Sequence, residues 1–370
     1  MDVRAIGDQS VSLLGYGCMR FPTKDGKIDE PRAEALLRRA YEAGVTYFDT
    51  AYPYHNGESE PFVGRVMKQF PRDTFALATK FPCWKPETLE EAKAIYEEQM
   101  AHLQSEYVDF YLIHALSAER WAKVKEMGLL DFLEEQQKLG RIRKLGFSFH
   151  APYEVFEEIL AYRKWDFCQI QFNYMDTEHQ AGLKGLQLAE SLGVSVVVME
   201  PVKGGTLAGL PAQAEAPLKA VSPGRSSASW ALRYVAGFSG VKVILSGMSD
   251  EAQLEDNIAS FSPYVPFSDY EKVALDETIA ILKSRMGNGC SGCRYCLPCA
   301  SGVMIPRLFL IYNEFQRYEN PEAAREDYQS VPALGRASCC IRCGKCETMC
   351  PQGIHIREDL KTIANMDWAK

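Results

Sequence analysis

The sequence predicts an α/β protein, a closed (β/α)8 TIM barrel followed by a small, mainly α-helical domain rich in cysteine. Two observations carry this prediction. Between about residues 10 and 250, short apolar runs alternate eight times with amphipathic helical segments, and nine of the twelve cysteines fall between Cys290 and Cys350. Parallel strands that are covered on both faces are apolar throughout, so continuous apolar runs are typical of such a barrel.

Eight units of strand and helix within about 250 residues favour a closed barrel over an open doubly wound sheet. The open sheet remains the alternative, although no G-x-G-x-x-G follows the first strand. The strand candidates are Ser12–Cys18, Thr46–Thr50, Phe75–Thr79, Val108–Ile113, Lys144–Phe149, Phe167–Phe172, Val194–Glu200 and Val241–Ser246. The helix candidates between them are Pro31–Glu42, Ser59–Gln69, Leu89–Leu103, Asp131–Leu139, Pro152–Tyr162, Leu183–Leu192, Ser226–Val235 and Glu251–Ser260.

The end of the barrel is predicted from a change in composition. A Pro- and Ser-containing linker, Phe261–Ser268, leads into a last helix at Asp269–Arg285, and Gly287 and Gly289 then break the pattern. We therefore expect a barrel domain at residues 1–286 and a cysteine-rich domain at residues 287–370. The second domain contains a further helix candidate, Pro306–Tyr318.

Composition and charge exclude several classes of partner. The net charge of −8 and the pI near 5.5 argue against nucleic acid or an anionic membrane as the main partner. No apolar run reaches the ~18–20 residues that span a bilayer. The first ten residues, MDVRAIGDQS, lack a signal-peptide pattern, so we expect a cytoplasmic protein. Nothing in the sequence indicates the oligomeric state.

Chemically useful side chains follow three consecutive strands. The strands end at Asp49, Lys80 and His114, and Tyr54 lies in the loop beyond the first of them. The C-terminal ends of the strands carry the chemistry in parallel barrels, so these four side chains are expected to meet. Singly, each is more typical of a polar strand-end residue without a catalytic role.

The four side chains suit protonation of an oxygen that gains negative charge. A tyrosine titrates near pH 10, and an adjacent Lys80 ammonium is expected to lower the pKa of Tyr54 by stabilising the phenolate. Asp49 would hold Lys80 charged and in place. His114 would donate a hydrogen bond to a carbonyl oxygen and orient it.

These motifs resemble the aldo/keto reductase superfamily. The matching stretches are FDTAYPYHNGESE, ATK and YLIH, and the resemblance runs from about Leu13 to Asn257. It implies that Asp49, Tyr54, Lys80 and His114 form the catalytic tetrad. It also implies NADPH- or NADH-dependent reduction of a small-molecule aldehyde or ketone, with the nicotinamide at the strand ends.

The resemblance also implies a set of cofactor contacts, with some departures. Cys18 replaces the usual Thr, Phe149 replaces an Asn, and Met199 replaces the aromatic residue that stacks on the nicotinamide. Gln253 stands where many members have Arg, so the choice between NADP and NAD stays open, with Lys203 as a substitute charge. The implied contacts are Gly17, Cys18, Met19, Asp49, Ser148, Gln169, Met199, Glu200, Pro201, Val202, Lys203, Gly205, Gly247, Ser249, Gln253, Asp256 and Asn257.

The cysteines near the C-terminal end form two similar runs. The second run is C-x2-C-x2-C-x3-C-P, the bacterial ferredoxin pattern, and the first is the same pattern shortened by one residue. In that pattern the fourth Cys of each run binds the other cluster, which predicts two 4Fe–4S clusters. Cys339 is off register, and two zinc sites are the alternative. The predicted ligand sets are Cys290, Cys293, Cys296 and Cys350 for one cluster, and Cys340, Cys343, Cys346 and Cys299 for the other.

Barrel and tail together resemble the iron–sulfur-bearing branch of the aldo/keto reductases, found in anaerobes, with a tail of the α-helical ferredoxin type. The leading interpretation is an NAD(P)H-dependent reductase of a carbonyl or conjugated carbonyl compound. The alternative is an electron-transfer or redox-sensing protein that docks a redox partner protein, with the barrel site secondary. Nicotinamide moves two electrons and a cubane one, so exchange between them would need a flavin, a partner or a tolerant substrate; no flavin motif is evident.

The substrate itself is not readable from the sequence. The loops that would select it, Phe81–Pro86 and Ala115–Leu130, match no recognisable pattern. Within the first of them, Trp84 is interpreted equally well as lining a substrate pocket or as packing.

Overall fold

A computed structural model describes all residues, Met1–Lys370. Eight parallel strands close into a barrel in the order β10-β11-β12-β3-β6-β7-β8-β9, which confirms the predicted fold class. The strands in chain order are β1 (Val3–Ile6), β2 (Gln9–Ser12), β3 (Leu14–Gly17), β4 (Thr23–Lys24), β5 (Lys27–Ile28), β6 (Tyr47–Asp49), β7 (Ala76–Phe81), β8 (Val108–Leu116), β9 (Ile142–Phe149), β10 (Phe167–Gln171), β11 (Ser195–Met199) and β12 (Val241–Ser246).

The barrel is filled by its own side chains and by a hairpin that the sequence did not predict. Strands β1 and β2 pair antiparallel just before β3 begins. Their residues Ile6 and Val11 are fully buried in one cluster with inward-facing Tyr47, Phe110 and Phe167. The barrel is therefore a packed core at this end, and the strand ends opposite remain available for a site.

Fifteen helices complete the chain. Those predicted between the strands are present, and α4, α8, α13, α14 and α15 were not predicted. The helices are α1 (Glu30–Glu42), α2 (Ser59–Met67), α3 (Leu89–Leu103), α4 (Ala118–Met127), α5 (Leu129–Lys138), α6 (Tyr153–Tyr162), α7 (Gly182–Ser191), α8 (Ala212–Val221), α9 (Ser227–Ala236), α10 (Glu251–Ser260), α11 (Asp269–Ser284), α12 (Ile305–Tyr318), α13 (Pro321–Gln329), α14 (Lys345–Thr348) and α15 (Ile356–Asn365).

The chain divides into two compact units. The first comprises Met1–Gly204 and Ala228–Phe267, and the second comprises Gly205–Ser227 and Ser268–Lys370. Helices α8 and α11 pack on each other within the second unit. There, Arg285 just beyond α11 donates from Nε to the carbonyl of Gln316 in α12 over 3.2 Å.

The second unit has its own apolar core. Buried side chains from α12, α13 and α15 surround Trp368, and most of the cysteines near the C-terminal end pack against this core. No helix anywhere in the chain is both long and apolar enough to cross a bilayer.

Candidate active site and cluster sites

A buried ion pair lies at the centre of the barrel site. Strand β6 ends at Asp49 and β7 carries Lys80, whose Nζ donates to Asp49 Oδ1 over 2.5 Å and to the carbonyl of Thr50 over 2.8 Å. The side chains are only 1% and 2% exposed. A buried charge is tolerated only when it is paired, so this contact fixes both side chains in place.

Tyr54 and His114 lie against this pair. Tyr54 begins a short 3-10 turn, and the Lys80 Nζ lies 4.7 Å from the centre of its ring. The rings of Tyr54 and His114 meet edge to face, with centroids 6.0 Å apart. The structure thus brings together the four side chains that the sequence predicted to meet.

The pKa of Tyr54 lies above its ordinary value of 10, so the sequence-based expectation of a lowered pKa is wrong in sign. Burial is the main cause, because it disfavours the phenolate, and the Lys80 charge only partly offsets it. The sequence indicates which charge lies near the phenol, but it does not indicate how far the fold shields the phenol from water. Tyr54 therefore remains protonated over the whole neutral range.

Lys80 and His114 are shifted in opposite directions. Burial acts to lower the pKa of Lys80, but Asp49 and Tyr54 outweigh it, and the net pKa is raised. The pKa of His114 lies well below 6.5 because the ring is buried and, in second place, because it faces the Lys80 charge. At neutral pH the site therefore holds an ammonium and an uncharged imidazole, whose Nδ1 is buried without a partner.

A cradle for an amide group lies on neighbouring strands. Gln169 on β10 is in register with Ser148 on β9. The Ser148 Oγ accepts the backbone N–H of Ala115 over 2.7 Å. The Oε1 of Gln169 is buried and has no hydrogen-bond partner, while its Nε2 lies 3.6 Å from the sulfur of Met199. An unsatisfied buried acceptor next to a hydroxyl fits a carboxamide such as that of nicotinamide.

The first predicted cofactor turn follows β3. Gly17 is in register with Asp49, and the N–H of Cys18 donates to the Asp49 carbonyl over 2.8 Å. Cys18 is fully buried, whereas Met19 is largely exposed. This turn therefore lies directly beside the ion pair.

The loop after β11 does not offer the free charge that the sequence suggested. Glu200, Lys203 and Gly205 in this loop, which also contains Pro201 and Val202, have positive φ. Lys203 contacts both carboxylate oxygens of Asp176 over 2.9 Å. Its charge is therefore already neutralised within the chain, which weakens its candidacy for a cofactor 2′-phosphate.

The segment after β12 is held by its own hydrogen bonds. The Asp250 side chain caps α10 by accepting the N–H of Gln253 over 2.8 Å, and Gln253 Nε2 donates back to Asp250 over 2.7 Å. Gln253 also accepts the N–H of Ser249. The buried Asn257 donates to Ser246 Oγ over 2.9 Å, and Asp256 precedes it on α10.

Sequence reasoning missed Arg20, which spans two of these segments. A methyl group built on Gly247 would lie 3.0 Å from the Cβ of Arg20. One built on Gly204 would lie 3.7 Å from its Nη2. The exposed Arg20 side chain thus lies over two glycines and points from the β12 loop to the β11 loop. The signal available in the sequence was an arginine directly after the first cofactor turn.

The cysteines gather around two pockets in the second unit. Cys296 lines both. The first pocket is also lined by Cys299, Cys340, Cys343 and Cys346, and the other by Cys290, Cys293 and Cys350. Without Cys296, the cysteines of the first pocket are those of one predicted ligand set. With Cys296, the cysteines of the other pocket are those of the second predicted set.

The donor sets fit cubane clusters in number and in chemistry. No three His, Cys, Asp or Glu side chains come close enough together to hold a metal ion directly. The ligands of a cubane lie farther apart than those of one ion, because four irons and four sulfides stand between them. Burial raises the pKa of Cys296, and the neighbouring thiols of Cys290, Cys293 and Cys350 raise it further.

Comparisons with known proteins agree with both parts. Residues 13–280 match the aldo/keto reductase family model, and residues 289–355 match the 4Fe-4S dicluster domain model. The chain is similar to L-galactose dehydrogenase of Arabidopsis thaliana, with 27% identity over 76% of this chain and 95% of that protein. It is also similar to the NADH-specific methylglyoxal reductase of Escherichia coli, with 25% identity over 55% of this chain and 67% of that protein.

A solved structure extends the likeness to three dimensions. The holo form of an aldo-keto reductase from Bacillus halodurans is 27% identical, with a TM-score of 0.63 over 75% of this chain and 96% of that chain. The barrel match covers well over half of the sequence. The chain therefore belongs to the aldo/keto reductase family and carries a C-terminal 4Fe–4S dicluster domain.

Proposed function

We propose that this oxidoreductase reduces a carbonyl or conjugated carbonyl compound with NADPH or NADH, and that Tyr54 is the general acid. The observation that carries the proposal is the contact of the buried Lys80 ammonium with both Asp49 and the Tyr54 ring. In this arrangement the Tyr54 hydroxyl is the reacting group, and the Lys80 ammonium is the charge next to it. It suits proton donation to an oxygen that becomes negative.

The four side chains divide the work. The Tyr54 hydroxyl gives its proton to the substrate oxygen, and the Lys80 charge stabilises the phenolate that remains. Asp49 keeps Lys80 charged inside the barrel. His114, uncharged because of its burial, orients the substrate oxygen through a ring N–H. A nicotinamide dinucleotide, when bound, supplies the hydride.

We assign cofactor contacts to the strand-end segments described above. Ser148 and Gln169 would hold the carboxamide, and the turn at Gly17 would approach the nicotinamide side. Because Lys203 is paired with Asp176 and Gln253 with Asp250, Arg20 is the cation that we assign to the dinucleotide phosphates. Arginine suits this role because its planar fork binds phosphate oxygens.

We further propose residues 1–286 as the catalytic part and residues 287–370 as the cluster-binding part. The family matches at 13–280 and 289–355 support this division. Two 4Fe–4S clusters, when bound, would supply single-electron transfer. The proposed ligands are Cys290, Cys293, Cys296 and Cys350 for one cluster, and Cys299, Cys340, Cys343 and Cys346 for the other.

The decisive experiment is Tyr54→Phe in anaerobically purified protein. Loss of the proton donor is expected to lower kcat for aldehyde reduction about 10²- to 10⁴-fold. Tyr52→Phe is the matched control, since Tyr52 lies in the same loop and its hydroxyl bonds Glu98 over 2.9 Å. Unchanged reduction by Tyr54→Phe would overturn the proposal and leave electron transfer through the clusters as the main function.

A further inference from the structure

An arginine beside the catalytic histidine has no role in the mechanism above. Arg120 lies in the first turn of α4, where its N–H donates to the capping hydroxyl of Ser117. Its Nη1 donates to the carbonyl of Ala115 over 2.8 Å. Its guanidinium stacks over the ring of Trp84, with Cζ 4.7 Å from the centre of that ring. Two contacts, with the Ala115 carbonyl and with the Trp84 ring, therefore hold the guanidinium in one position.

That position is next to the reacting groups. Ala115, which receives the guanidinium, directly follows His114 and has a positive φ of 51°. The Trp84 ring that Arg120 covers lies 5.2 Å from the His114 ring. Trp84 is itself 38% exposed, so the surface formed by Trp84 and Arg120 faces open space rather than the core. Arg120 and Trp84 come from the two loops that were expected to select the substrate.

The charge of Arg120 is not neutralised within the chain, unlike that of its neighbours. No carboxylate lies within 4.0 Å of its guanidinium. On the same helix, Lys123 pairs with Glu87 over 2.9 Å and Lys125 pairs with Glu158 over 3.1 Å. A guanidinium has five N–H donors, and the chain supplies an acceptor, Ala115, to one of them.

We propose that Arg120 binds a carboxylate carried by the carbonyl substrate, so that the substrates of this enzyme are oxo acids. The inference rests on the proposed function, since it names the substrate class of the same site. The planar fork of arginine matches a carboxylate with two parallel hydrogen bonds. Trp84 then forms the apolar wall along the part of the substrate between its carboxylate and its carbonyl.

A purely structural role for Arg120 would also explain its contacts with Trp84 and Ala115. The two roles differ in one respect, because a structural role does not distinguish a charged substrate from a neutral one of the same shape. The test therefore compares 4-formylbenzoate with its methyl ester, which share the ring and the aldehyde. Both are assayed with NADPH and NADH on the cluster-loaded protein.

The wild-type enzyme is expected to prefer 4-formylbenzoate over the ester by about 10- to 100-fold in kcat/KM, the range for hydrogen bonds to a charged group. Arg120→Gln should remove this preference, and Arg120→Lys should restore part of it. Lys125→Gln, which removes an equal charge from the same helix, should leave the preference as it is. A wild-type enzyme without the preference, or an Arg120→Gln variant that keeps it, would overturn the inference.

A binding measurement separates this inference from the proposed function. The product analogues 4-(hydroxymethyl)benzoate and its methyl ester are titrated calorimetrically into wild type and Arg120→Gln, where no turnover is needed. Tighter binding of the anion by wild type alone supports the role of Arg120 even if no aldehyde is reduced. Equal binding of the two analogues by wild type counts against it even if aldehydes are reduced.

Discussion

The two chemical centres of this protein differ in how much of each is formed by packing alone. In the barrel, Lys80 and Asp49 are almost fully buried within an apolar core that all eight strands share. In the second unit, the run Cys290–Cys299 contains neither helix nor strand, and Cys293 and Cys343 are exposed. The first site is thus held by the packed core of the barrel, whereas much of the second lies on irregular backbone and two of its thiols are exposed.

Removing the iron is expected to have the largest effect, and to affect the second unit but not the barrel. Chelation under anaerobic conditions is expected to abolish the cooperative unfolding of the second unit, because metal binding and folding are coupled in small metal domains. The barrel should keep its own transition. Calorimetry and protease mapping would measure this. Cys339→Ser serves as the control, and it should retain eight irons, four in each cluster.

The opposite outcome would be equally clear. If the chelated chain resisted protease beyond residue 287 as well as the loaded chain does, the second unit would also be held by packing alone. Its core around Trp368 would then be sufficient without clusters.

Lys80→Met tests the barrel side of the comparison. Removing one partner leaves the buried Asp49 charge uncompensated, which is expected to cost about 3–5 kcal/mol of stability. The free energy of unfolding from urea titration would measure the loss. The double variant Asp49→Asn/Lys80→Met should recover part of it, since no unpaired charge remains. A loss below ~1 kcal/mol would be typical of an exposed pair and would contradict the burial.

Arg20→Gln addresses the edge of the barrel site. The variant is expected to raise the Kd of both NADPH and NADH roughly tenfold, by the loss of a charge-assisted hydrogen bond to the bridging phosphates. Arg38→Gln, which removes a surface charge paired with Glu34, is the control. Cofactor fluorescence would report binding. A loss confined to NADPH would move the contact to the 2′-phosphate, and no loss would remove Arg20 from the site.

The smallest effect is expected from pH. Tyr54 must be protonated, and its pKa lies above 10; His114 must be neutral, and its pKa lies well below 6.5. Activity should fall only when the pH rises through the pKa of Tyr54 or drops through the pKa of His114. We therefore expect kcat/KM to be flat between pH 6.5 and 10. An inflection near pH 6.5 would show that His114 titrates as an exposed histidine.

Most of the barrel could be predicted because buried parallel strands are apolar throughout. The run Val241–Ser246 was predicted and is observed with the same bounds. The hairpin of β1 and β2 was missed because each strand has only four residues and a mixed pattern. Helix α8 was missed because Pro217 lies inside it, a residue that ordinarily ends a helix.

The site was predictable where strands deliver it and not where loops do. Asp49, Lys80 and His114 follow from their places at the ends of consecutive strands. Trp84 and Arg120 meet only because the turn after β7 and the first turn of α4 come together in the fold, and the local sequence gives no sign of this contact. The direction of the pKa shift of Tyr54 was predicted wrongly for a related reason, since the burial that raises this pKa depends on the whole fold.

The proposed exchange of fourth ligands between the two cysteine runs would have a consequence for assembly. In the proposed ligand sets, Cys299 completes the cluster of the second run and Cys350 completes that of the first. Each cluster would therefore link the two runs, and the two clusters together would act as a double cross-link. The conformational entropy lost when the runs come together is lost on formation of the first link, so the second link costs little more. Neither can be completed while one run is missing, so we expect cluster insertion to be all-or-none.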